Sequence, residues 1–240
     1  MKKKIILIFG ANGLIGKQLF SSKELNLKYH LIGFDIKKKA KEKIIKMNTL
    51  NTKSLKKKLN EIHKTFGRIY GVINVTFSPV LQKKNPPHIN SKKFSRELSN
   101  HVESFLNTTQ ITCEYFSKNK IEGRIINFAS IYGNLTPRFE IYKNTKMTLP
   151  IQYSLSKSSI IMLTKYFSKF FLKKKININT ISPGGVFDYQ NKNFIKNYKK
   201  YTATGMLDKN DITGLVEFLL SSYSKKIFGQ NLIIDDGFTL

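Results

Sequence analysis

The sequence predicts an α/β fold in which a doubly wound parallel sheet is covered by helices on both faces. Three observations carry this prediction: short β-branched apolar runs bounded by turn residues, longer segments with helical spacing, and their alternation along the chain. No Pro-, Gly- or Ser-rich linker divides the 240 residues, so we expect a single domain spanning residues 1–240.

Six apolar runs have the length and composition of strands that are buried on both faces of a sheet. They are Ile5–Phe9, Leu31–Phe34, Gly71–Val75, Ile125–Phe128, Ile176–Ile181 and Leu232–Ile234. Between these runs, apolar residues recur at helical spacing within Thr52–Phe66, and both Phe94–Ser117 and Gln152–Phe171 are long enough for helices of about five turns. The alternation of strand and helix is typical of the Rossmann-type fold.

The composition excludes several classes of protein. Hydrophobic residues at 40% and aromatic residues at 12% exclude a disordered or fibrous chain. The formal net charge is +27, but the lysines are spread along the whole chain and only four of the basic residues are arginine. A nucleic-acid reader concentrates its charge and uses arginine for base contacts, so we expect no nucleic-acid partner.

Cysteine usage and hydropathy indicate the compartment. Cys113 is the single cysteine, which excludes a disulfide framework and a cysteine zinc site, and we expect no metal. No apolar run approaches the roughly 18–20 residues of a membrane span. Ile5–Phe9 is also too short for the apolar region of a signal peptide. We therefore expect a soluble cytoplasmic protein with no membrane partner.

A glycine-rich turn follows the first strand. Gly10, Gly13 and Gly16 come directly after Ile5–Phe9 and open an apolar helix, Leu14–Phe20, which is the setting that a dinucleotide-binding turn requires. Such a turn brings backbone close to a pyrophosphate and points the helix N-terminus at its charge. The cofactor contacts expected here are Gly10, Asn12, Gly13, Leu14, Ile15 and Gly16. The alternative is a tight turn that binds no ligand.

Asp35 ends the second predicted strand, 25 residues after Gly10. A carboxylate at this point can accept hydrogen bonds from the hydroxyls of the adenosine ribose and would repel a 2′-phosphate, so NAD is favoured over NADP. Lys37 and Lys38 lie close enough to offset that repulsion, which leaves NADP open as a second cofactor.

A serine, a tyrosine and a lysine form the candidate catalytic group. Tyr153 and Lys157 are four residues apart on the predicted helix Gln152–Phe171, so they share one face, and Ser130 follows the strand Ile125–Phe128. A phenol is a poor base at pH 7, and an ammonium beside it favours the phenolate. A serine hydroxyl can hold the substrate oxygen against that phenol. The alternative is an exposed helical pair without chemistry.

These motifs together resemble the short-chain dehydrogenase/reductase family over nearly the whole chain. The matching pieces are Gly10-Ala-Asn-Gly13-Leu-Ile-Gly16, Asp35, Asn74, Ser130, Tyr153-x-x-x-Lys157, Pro183-Gly184-Gly185-Val186 and Gly229–Gly237. The resemblance implies an NAD(P)-dependent oxidoreductase that interconverts a secondary alcohol and a ketone on a small molecule. It implies that Ser130 orients the substrate, that Tyr153 passes the proton, and that Lys157 holds the nicotinamide ribose and tunes Tyr153. Further cofactor contacts are expected at Asn48, Asn74, Tyr153, Lys157, Pro183, Gly184 and the backbone of Val186.

Three positions depart from the family pattern. Only the first residue of the family's Asn-Asn-Ala-Gly motif is kept in Asn74-Val-Thr-Phe77. The helical asparagine that supports the proton relay in the family corresponds to His101, which we include as a catalytic candidate, with neighbouring Asn100 as the alternative. Asp188 stands where the family usually has a threonine near the nicotinamide.

The segment Ile131–Pro150 is a long insertion between Ser130 and Tyr153. Its ends also resemble the nucleotide-sugar epimerase/dehydratase branch, and the surrounding residues are similar to bacterial oxidoreductases of flagellin modification and sialic-acid-like sugar synthesis. The resemblance implies a sugar or amino-sugar substrate. Because the segment begins and ends at the reacting residues, we expect it to line the substrate pocket, with Arg138 and Lys146 pairing with an anionic group. A purely structural excursion is the alternative.

Two further expectations concern partners. The resemblance implies a homo-oligomer, a dimer or a tetramer, built on the two long helices, and the aromatic residues Phe167, Phe170 and Phe171 belong either to that contact or to the core. A cofactor-binding protein that no longer turns over and acts as a regulator is the competing function.

Overall fold

The computed structural model describes residues 3–37, 44–77 and 91–240, and these form one parallel sheet with helices on both faces. The strands are β1 (Lys4–Phe9), β2 (Tyr29–Asp35), β3 (Ile44–Lys46), β4 (Ile69–Asn74), β5 (Arg124–Phe128), β6 (Asn177–Pro183) and β7 (Asn231–Ile234). The helices are α1 (Leu14–Ser21), α2 (Lys23–Lys28), α3 (Thr52–Phe66), α4 (Ser91–Lys118), α5 (Ile151–Phe170), α6 (Lys192–Lys199) and α7 (Asp211–Leu220).

The strand order is β3-β2-β1-β4-β5-β6-β7, and every neighbouring pair is parallel. The predicted fold class is therefore confirmed. All six predicted strands are present, and β3 is an addition. Its three residues are too short for a hydrophobic period, so only pairing with β2 reveals it.

Alternate residues of β1 explain why the sheet carries helices on both sides. Ile5, Leu7 and Phe9 belong to a buried cluster with apolar residues of α3 and α4. Ile6 and Ile8 belong to a second cluster with apolar residues of α1, α2 and α7. Because successive side chains of a strand point to opposite faces, a continuous apolar run forms both layers of the core.

A third cluster of buried side chains lies outside the two layers. It joins Ile131 and Tyr132 after β5 to Phe194 and Tyr198 of α6 and to Phe238 near the end of the chain. Tyr198 and Phe238 stack with ring centroids 4.5 Å apart. We call these five residues the aromatic cluster; it holds the inserted segment against the edge of the molecule where β5 and β6 end.

The long helices show which aromatic residues are core and which are surface. Phe167 and Phe171 pack against the first buried cluster, whereas Phe170 is exposed. Across residues 3–37, 44–77 and 91–240, no helix combines the length and apolarity needed to cross a bilayer.

Candidate active site

The glycine turn joins β1 to α1, and its backbone atoms pack closely against one another and against β2. Gly10 has φ of +89°, and the backbone N–H groups of Gly10 and Ala11 both donate to the carbonyl oxygen of Phe34, at 2.8 and 3.0 Å. A Cβ added at Gly16 would lie 2.1 Å from the Gly10 carbonyl oxygen. Backbone fills the space that a side chain would need, so both positions require glycine.

The start of α1 has groups that suit a dinucleotide. Gly13 is the N-cap residue and no side chain caps the helix, so its first N–H groups remain available to a ligand. The side-chain oxygen of Asn12 is buried with no hydrogen-bond partner, while its amide nitrogen donates to the carbonyl of Lys37 at 2.6 Å. Leu14 and Ile15, in the first turn of the helix, pack against the second buried cluster. An uncapped helix N-terminus beside a glycine turn fits a pyrophosphate.

Asp35 is held by backbone on both of its carboxylate oxygens. One oxygen accepts from the N–H of Asn12 at 3.0 Å and the other from the N–H of Lys37 at 3.1 Å. This arrangement fixes the carboxylate at the wall of the cleft before any ligand binds. Lys38, expected to influence cofactor choice, lies outside the described residues.

A cleft of about 250 Å³ runs from the glycine turn towards α4. Its lining residues are Phe9, Gly10, Phe34, Asp35, Ile36, Met47, Asn48, Thr49, Leu50, Thr76, Phe77, Asn100, His101 and Ser104. Asn48 is exposed at the wall, and its side-chain oxygen accepts from the N–H of Leu50 at 3.0 Å. Thr76, Phe77 and Ser104 were not predicted; their positions just after β4 and on the buried face of α4 are the signal that could have found them.

Asn74 has a different place from the one expected. It is fully buried and does not line the cleft. Its amide nitrogen donates to the hydroxyl of Thr108, and its side-chain oxygen accepts from the hydroxyl of Thr76 at 3.0 Å. Asn74 therefore supports the cleft wall from behind, through Thr76.

Ser130, Tyr153 and Lys157 converge where β5 ends. Ser130 and Lys157 are both buried, and the Lys157 Nζ donates to the carbonyl of Phe128 at 3.1 Å. The same Nζ lies 5.6 Å from the ring centroid of Tyr153, which is partly exposed. The structure thus brings together three residues that are up to 27 positions apart in the sequence.

The environment shifts the pKa values of the catalytic pair. Burial lowers the pKa of Lys157 from 10.5 to about 7. Burial also raises the pKa of Tyr153, and hydrogen bonding with Ser130 acts in the opposite direction without reversing the shift. The sequence predicts a lowered phenol pKa, so this direction is a correction. The physical reason is that burial destabilises the phenolate by more than the hydrogen bond with Ser130 stabilises it.

His101, a candidate for the role of the family's helical asparagine, is buried, whereas the alternative, Asn100, is exposed. Its ring stacks on Phe105 at 5.5 Å, and Phe77 meets both His101 and Tyr153 edge-on at 6.2 and 6.0 Å. Burial and the nearby Lys157 charge hold the pKa of His101 well below its usual value, so the imidazole is neutral at pH 7. Its Nε2 is buried and has no hydrogen-bond partner among residues 3–37, 44–77 and 91–240.

The segment Pro183–Val186 follows β6 and is held on several sides. Pro183 pairs with Ile234, and the N–H of Gly184 donates to the Ile234 carbonyl at 2.8 Å. The N–H of Gly185 donates to the hydroxyl of Tyr198 at 2.6 Å. The Val186 carbonyl oxygen accepts from the Gln190 side chain at 2.8 Å. These bonds fix the position of the segment after β6.

Arg138 does not point into the pocket where an anionic substrate group was expected. Asp188 is exposed. The guanidinium of Arg138 donates to the carbonyl oxygens of Phe238 and Leu240, at 3.5 and 3.3 Å, and lies 4.7 Å from the ring centroid of Tyr201. Arg138 therefore ties the inserted segment to the end of the chain. Lys146 is exposed.

Comparison with known sequences decides the family. A family model described as enoyl-(acyl carrier protein) reductase matches residues 34–239. The chain belongs to the short-chain dehydrogenase/reductase family. The predicted family, enzyme class and fold are thereby confirmed.

Relatives of this short-chain dehydrogenase/reductase span its full length. Post-translational flagellin modification protein A of Campylobacter coli is 30% identical over 257 residues, covering 100% of both chains. A solved short-chain dehydrogenase of Leptospira borgpetersenii with bound NAD⁺ has a TM-score of 0.88 and 28% identity, covering 100% of this chain and 94% of its own. A gluconate 5-dehydrogenase of Burkholderia cenocepacia, in complex with NADP and tartrate, has a TM-score of 0.84 at 19% identity, covers 100% of this chain and 96% of its own, and supports the fold alone.

Proposed function

We propose that this NAD(P)-dependent oxidoreductase interconverts a secondary alcohol and a ketone on a sugar or amino-sugar derivative, with Tyr153 as the acid/base. The observation that carries the proposal is the convergence of Ser130, Tyr153 and Lys157 beside a glycine turn that fits a dinucleotide. Bound NAD(P) supplies the acceptor or donor of the hydride.

Each side chain has a separate part in the proton transfer. The phenolic oxygen of Tyr153 takes the hydroxyl proton of the alcohol during oxidation and returns it to the carbonyl oxygen during reduction. The Ser130 hydroxyl holds that same oxygen against the phenol. The Nζ of Lys157 lies 5.6 Å from the Tyr153 ring centroid, so the protonated form of Lys157 stabilises the phenolate of Tyr153.

We assign His101 to the path by which the proton reaches solvent. Its neutral imidazole can accept a proton on one nitrogen and release one from the other, and its Nε2 is unpartnered near Lys157. Asn100 also lines the cleft but is exposed to solvent, whereas His101 is buried next to Phe77 and Phe105, so His101 is the more suitable of the two candidates.

NAD is the preferred cofactor in this proposal, since the Asp35 carboxylate is fixed at the cleft wall, where it favours a free ribose hydroxyl. Fluorescence titration of the protein with NADH and NADPH tests it. Tighter binding of NADPH would assign the choice of cofactor to the lysines that follow Asp35.

The sugar assignment rests on similarity to the flagellin modification protein and on the polar and aromatic groups around Tyr153. A panel of sugar phosphates and nucleotide sugars, followed by NADH absorbance, tests the reaction. Turnover with loss of the C–O bond or inversion at carbon would support the epimerase/dehydratase alternative. Cofactor binding without turnover on any substrate would support the regulatory alternative.

A homo-oligomer is part of the proposal. Met162, Tyr166 and Phe170 recur every four residues on α5 and are 64%, 65% and 70% exposed, which forms an apolar stripe suited to a second copy of this chain. Light scattering at micromolar concentration should give a dimer or a tetramer, and Phe170→Asp should weaken it. A wild-type monomer would count against assembly.

We place the protein in the cytoplasm, where NAD(P) is abundant and a reduced buried thiol such as that of Cys113 persists. Cell fractionation with a cytoplasmic marker tests this placement.

A further inference from the structure

The carboxylate of Glu97 lies inside the protein on α4, close to the reacting residues. Glu97 is only 5% exposed. One carboxylate oxygen accepts a long hydrogen bond from the Gln152 amide nitrogen at 3.5 Å. The other oxygen, Oε1, is buried and has no hydrogen-bond partner in the part of the chain that the structure describes; it forms a long ion pair with the Lys93 Nζ at 3.8 Å.

Two neighbours connect Glu97 to the site of reaction. Gln152, which contacts it, directly precedes Tyr153 at the start of α5. His101 follows Glu97 by one helical turn on α4, lines the cleft, and meets Phe77, whose ring also meets Tyr153. Residues four apart on a helix share a face, so Glu97 and His101 face the same region.

The region contains other buried polar atoms that lack partners. The Nε2 of His101 is one, and the hydroxyl oxygens of Thr148 and Ser154, which flank the start of α5, are two more. Buried polar groups in folded proteins are normally hydrogen-bonded, and a buried carboxylate oxygen without a donor is costly. Both oxygens of Asp35, by contrast, accept hydrogen bonds from backbone N–H groups, whereas Oε1 of Glu97 accepts none from the described residues.

The charge of this region also limits what can bind. The lining of the described cleft contains no lysine or arginine. Arg138 is engaged with carbonyl oxygens near the end of the chain, and Lys146 is exposed on the inserted segment. A carboxylate oxygen accepts hydrogen bonds and repels anions, so the missing partner of Glu97 is a donor.

We propose that Glu97 is a specificity-determining residue that accepts a hydrogen bond from a hydroxyl or ammonium group of the sugar substrate and selects against an anionic group at that position. The inference rests on the proposed function, because it concerns the substrate of that same site. It goes further by assigning the sign and hydrogen-bonding character of the group that lies between α4 and the start of α5.

The experiment compares three matched probes: glucose, glucosamine and gluconate. Their binding to the complex of the protein with NADH is measured by nicotinamide fluorescence, in the wild type, in Glu97→Gln and in Glu103→Gln. Glu103 is an exposed glutamate on the same helix and provides the matched control. The wild type and Glu103→Gln should bind glucose or glucosamine at least about tenfold more tightly than gluconate, the size expected for one charged hydrogen bond.

The outcomes separate the two donors. Loss of the preference for glucosamine over glucose in Glu97→Gln would identify an ammonium as the recognised group. An equal loss of affinity for both would identify a hydroxyl. Both results support the inference, and gluconate should gain affinity in either case because the repelling charge is gone.

Several results would overturn the inference. Wild-type preference for gluconate would do so even if Glu97→Gln failed to fold. Unchanged relative affinities in Glu97→Gln, together with a lower melting temperature, would make Glu97 a structural residue and leave the proposed function intact. Binding of none of the three probes by a wild type that binds NADH would overturn both this inference and the sugar assignment.

Discussion

The cofactor side and the substrate side of the cleft differ in how their polar atoms are satisfied. On the cofactor side, Asp35 has backbone donors on both oxygens and the glycine turn is bonded to Phe34. On the substrate side, the buried Oε1 of Glu97 and the buried Nε2 of His101 have no hydrogen-bond partner among the described residues, and Oε1 has only the Lys93 ammonium at 3.8 Å. The first side is preorganised by its own backbone, whereas the second is completed by the group that binds there.

The two sides also differ in how they are built. Most of the cofactor side comes from the stretch β1 through β2, in which local backbone geometry decides the shape, and residues 47–50 after β3 complete its wall. The substrate side draws on α4, α5, α6 and the inserted segment, and the aromatic cluster joins the inserted segment to α6, with Tyr153 of α5 packed against it. We therefore expect substitutions on the cofactor side to change cofactor affinity. Substitutions on the substrate side should change turnover or the stability of the folded protein.

The largest effect is expected for Tyr153→Phe, which removes the proton donor and leaves the ring in contact with Phe77. The turnover number should fall by roughly 10³-fold or more, because no other group at the site replaces the phenol. The affinity for NADH should stay within about twofold, since the cofactor side is independent of this hydroxyl. Tyr166→Phe, an exposed tyrosine on the same helix, should leave both unchanged. Retained turnover in Tyr153→Phe would move the acid/base to another residue.

The next effect is expected for Gly16→Ala. Its Cβ would lie 2.1 Å from the Gly10 carbonyl oxygen, so α1 must move away from the turn. We expect the dissociation constant of NADH to rise by roughly 100-fold, about 3 kcal/mol, because the turn is preorganised by this close contact.

Gly214→Ala is the control for that substitution. Gly214 lies within α7, and no atom would lie within 4 Å of its added Cβ. Alanine there should leave NADH affinity unchanged and raise the free energy of unfolding by up to about 1 kcal/mol. If Gly16→Ala bound NADH as tightly as the wild type does, the cofactor side of the cleft would not be preorganised by its backbone.

A smaller effect concerns pH and the burial of Lys157. Its pKa falls from 10.5 in the unfolded chain to about 7 in the folded protein. Between these values the unfolded chain binds more protons, so the free energy of unfolding rises with pH and this contribution is lost as pH falls towards 7. We expect a rise of about 2 kcal/mol between pH 7 and pH 9 for the protein without cofactor, measured by urea unfolding.

Two variants isolate that contribution. Lys157→Met should flatten the pH dependence, because no buried amine remains to titrate. Lys165→Met, an exposed lysine on the same helix, should preserve it. The range stops at pH 9 because the buried tyrosines, whose pKa values are raised, titrate above it. If the free energy of unfolding still rose with pH in Lys157→Met, the pH dependence would belong to another titrating group.

The smallest effects distinguish the two cations of the inserted segment. Arg138→Ala should lower the melting temperature by about 2–4 °C and leave KM unchanged, since it removes bonds to Phe238 and Leu240 worth about 1 kcal/mol. Lys146→Ala should raise KM several-fold for a sugar whose anionic group lies away from Glu97, with NADH binding and melting temperature unchanged. If Arg138→Ala instead raised KM and left the melting temperature unchanged, Arg138 would be a residue of the substrate pocket.

Local sequence predicted the parts of the site that depend on backbone. The spacing of Gly10, Gly13 and Gly16 after an apolar run predicts the turn, because only glycine tolerates its φ angle and close contacts. The spacing of Tyr153 and Lys157 predicts their shared face. By contrast, the sequence predicts that Asn74 contacts the cofactor, whereas Asn74 is buried behind the cleft wall. Its hydrogen bonds to Thr76 and Thr108 depend on how α4 packs, which the local sequence does not record.

The sequence by itself determined the alternation of strands and helices and the glycine turn, because these follow from hydrophobic period and short-range sterics. It also nominated Ser130, Tyr153 and Lys157 as catalytic candidates, through their spacing and the family resemblance. Only the tertiary structure decided where Arg138 points, which way the phenol pKa shifts and that Glu97 is buried without a full set of partners. Those properties are set by the desolvation and contacts that α4, α5, α6 and the end of the chain impose on one another. Such contacts join residues far apart in sequence, so no local pattern records them.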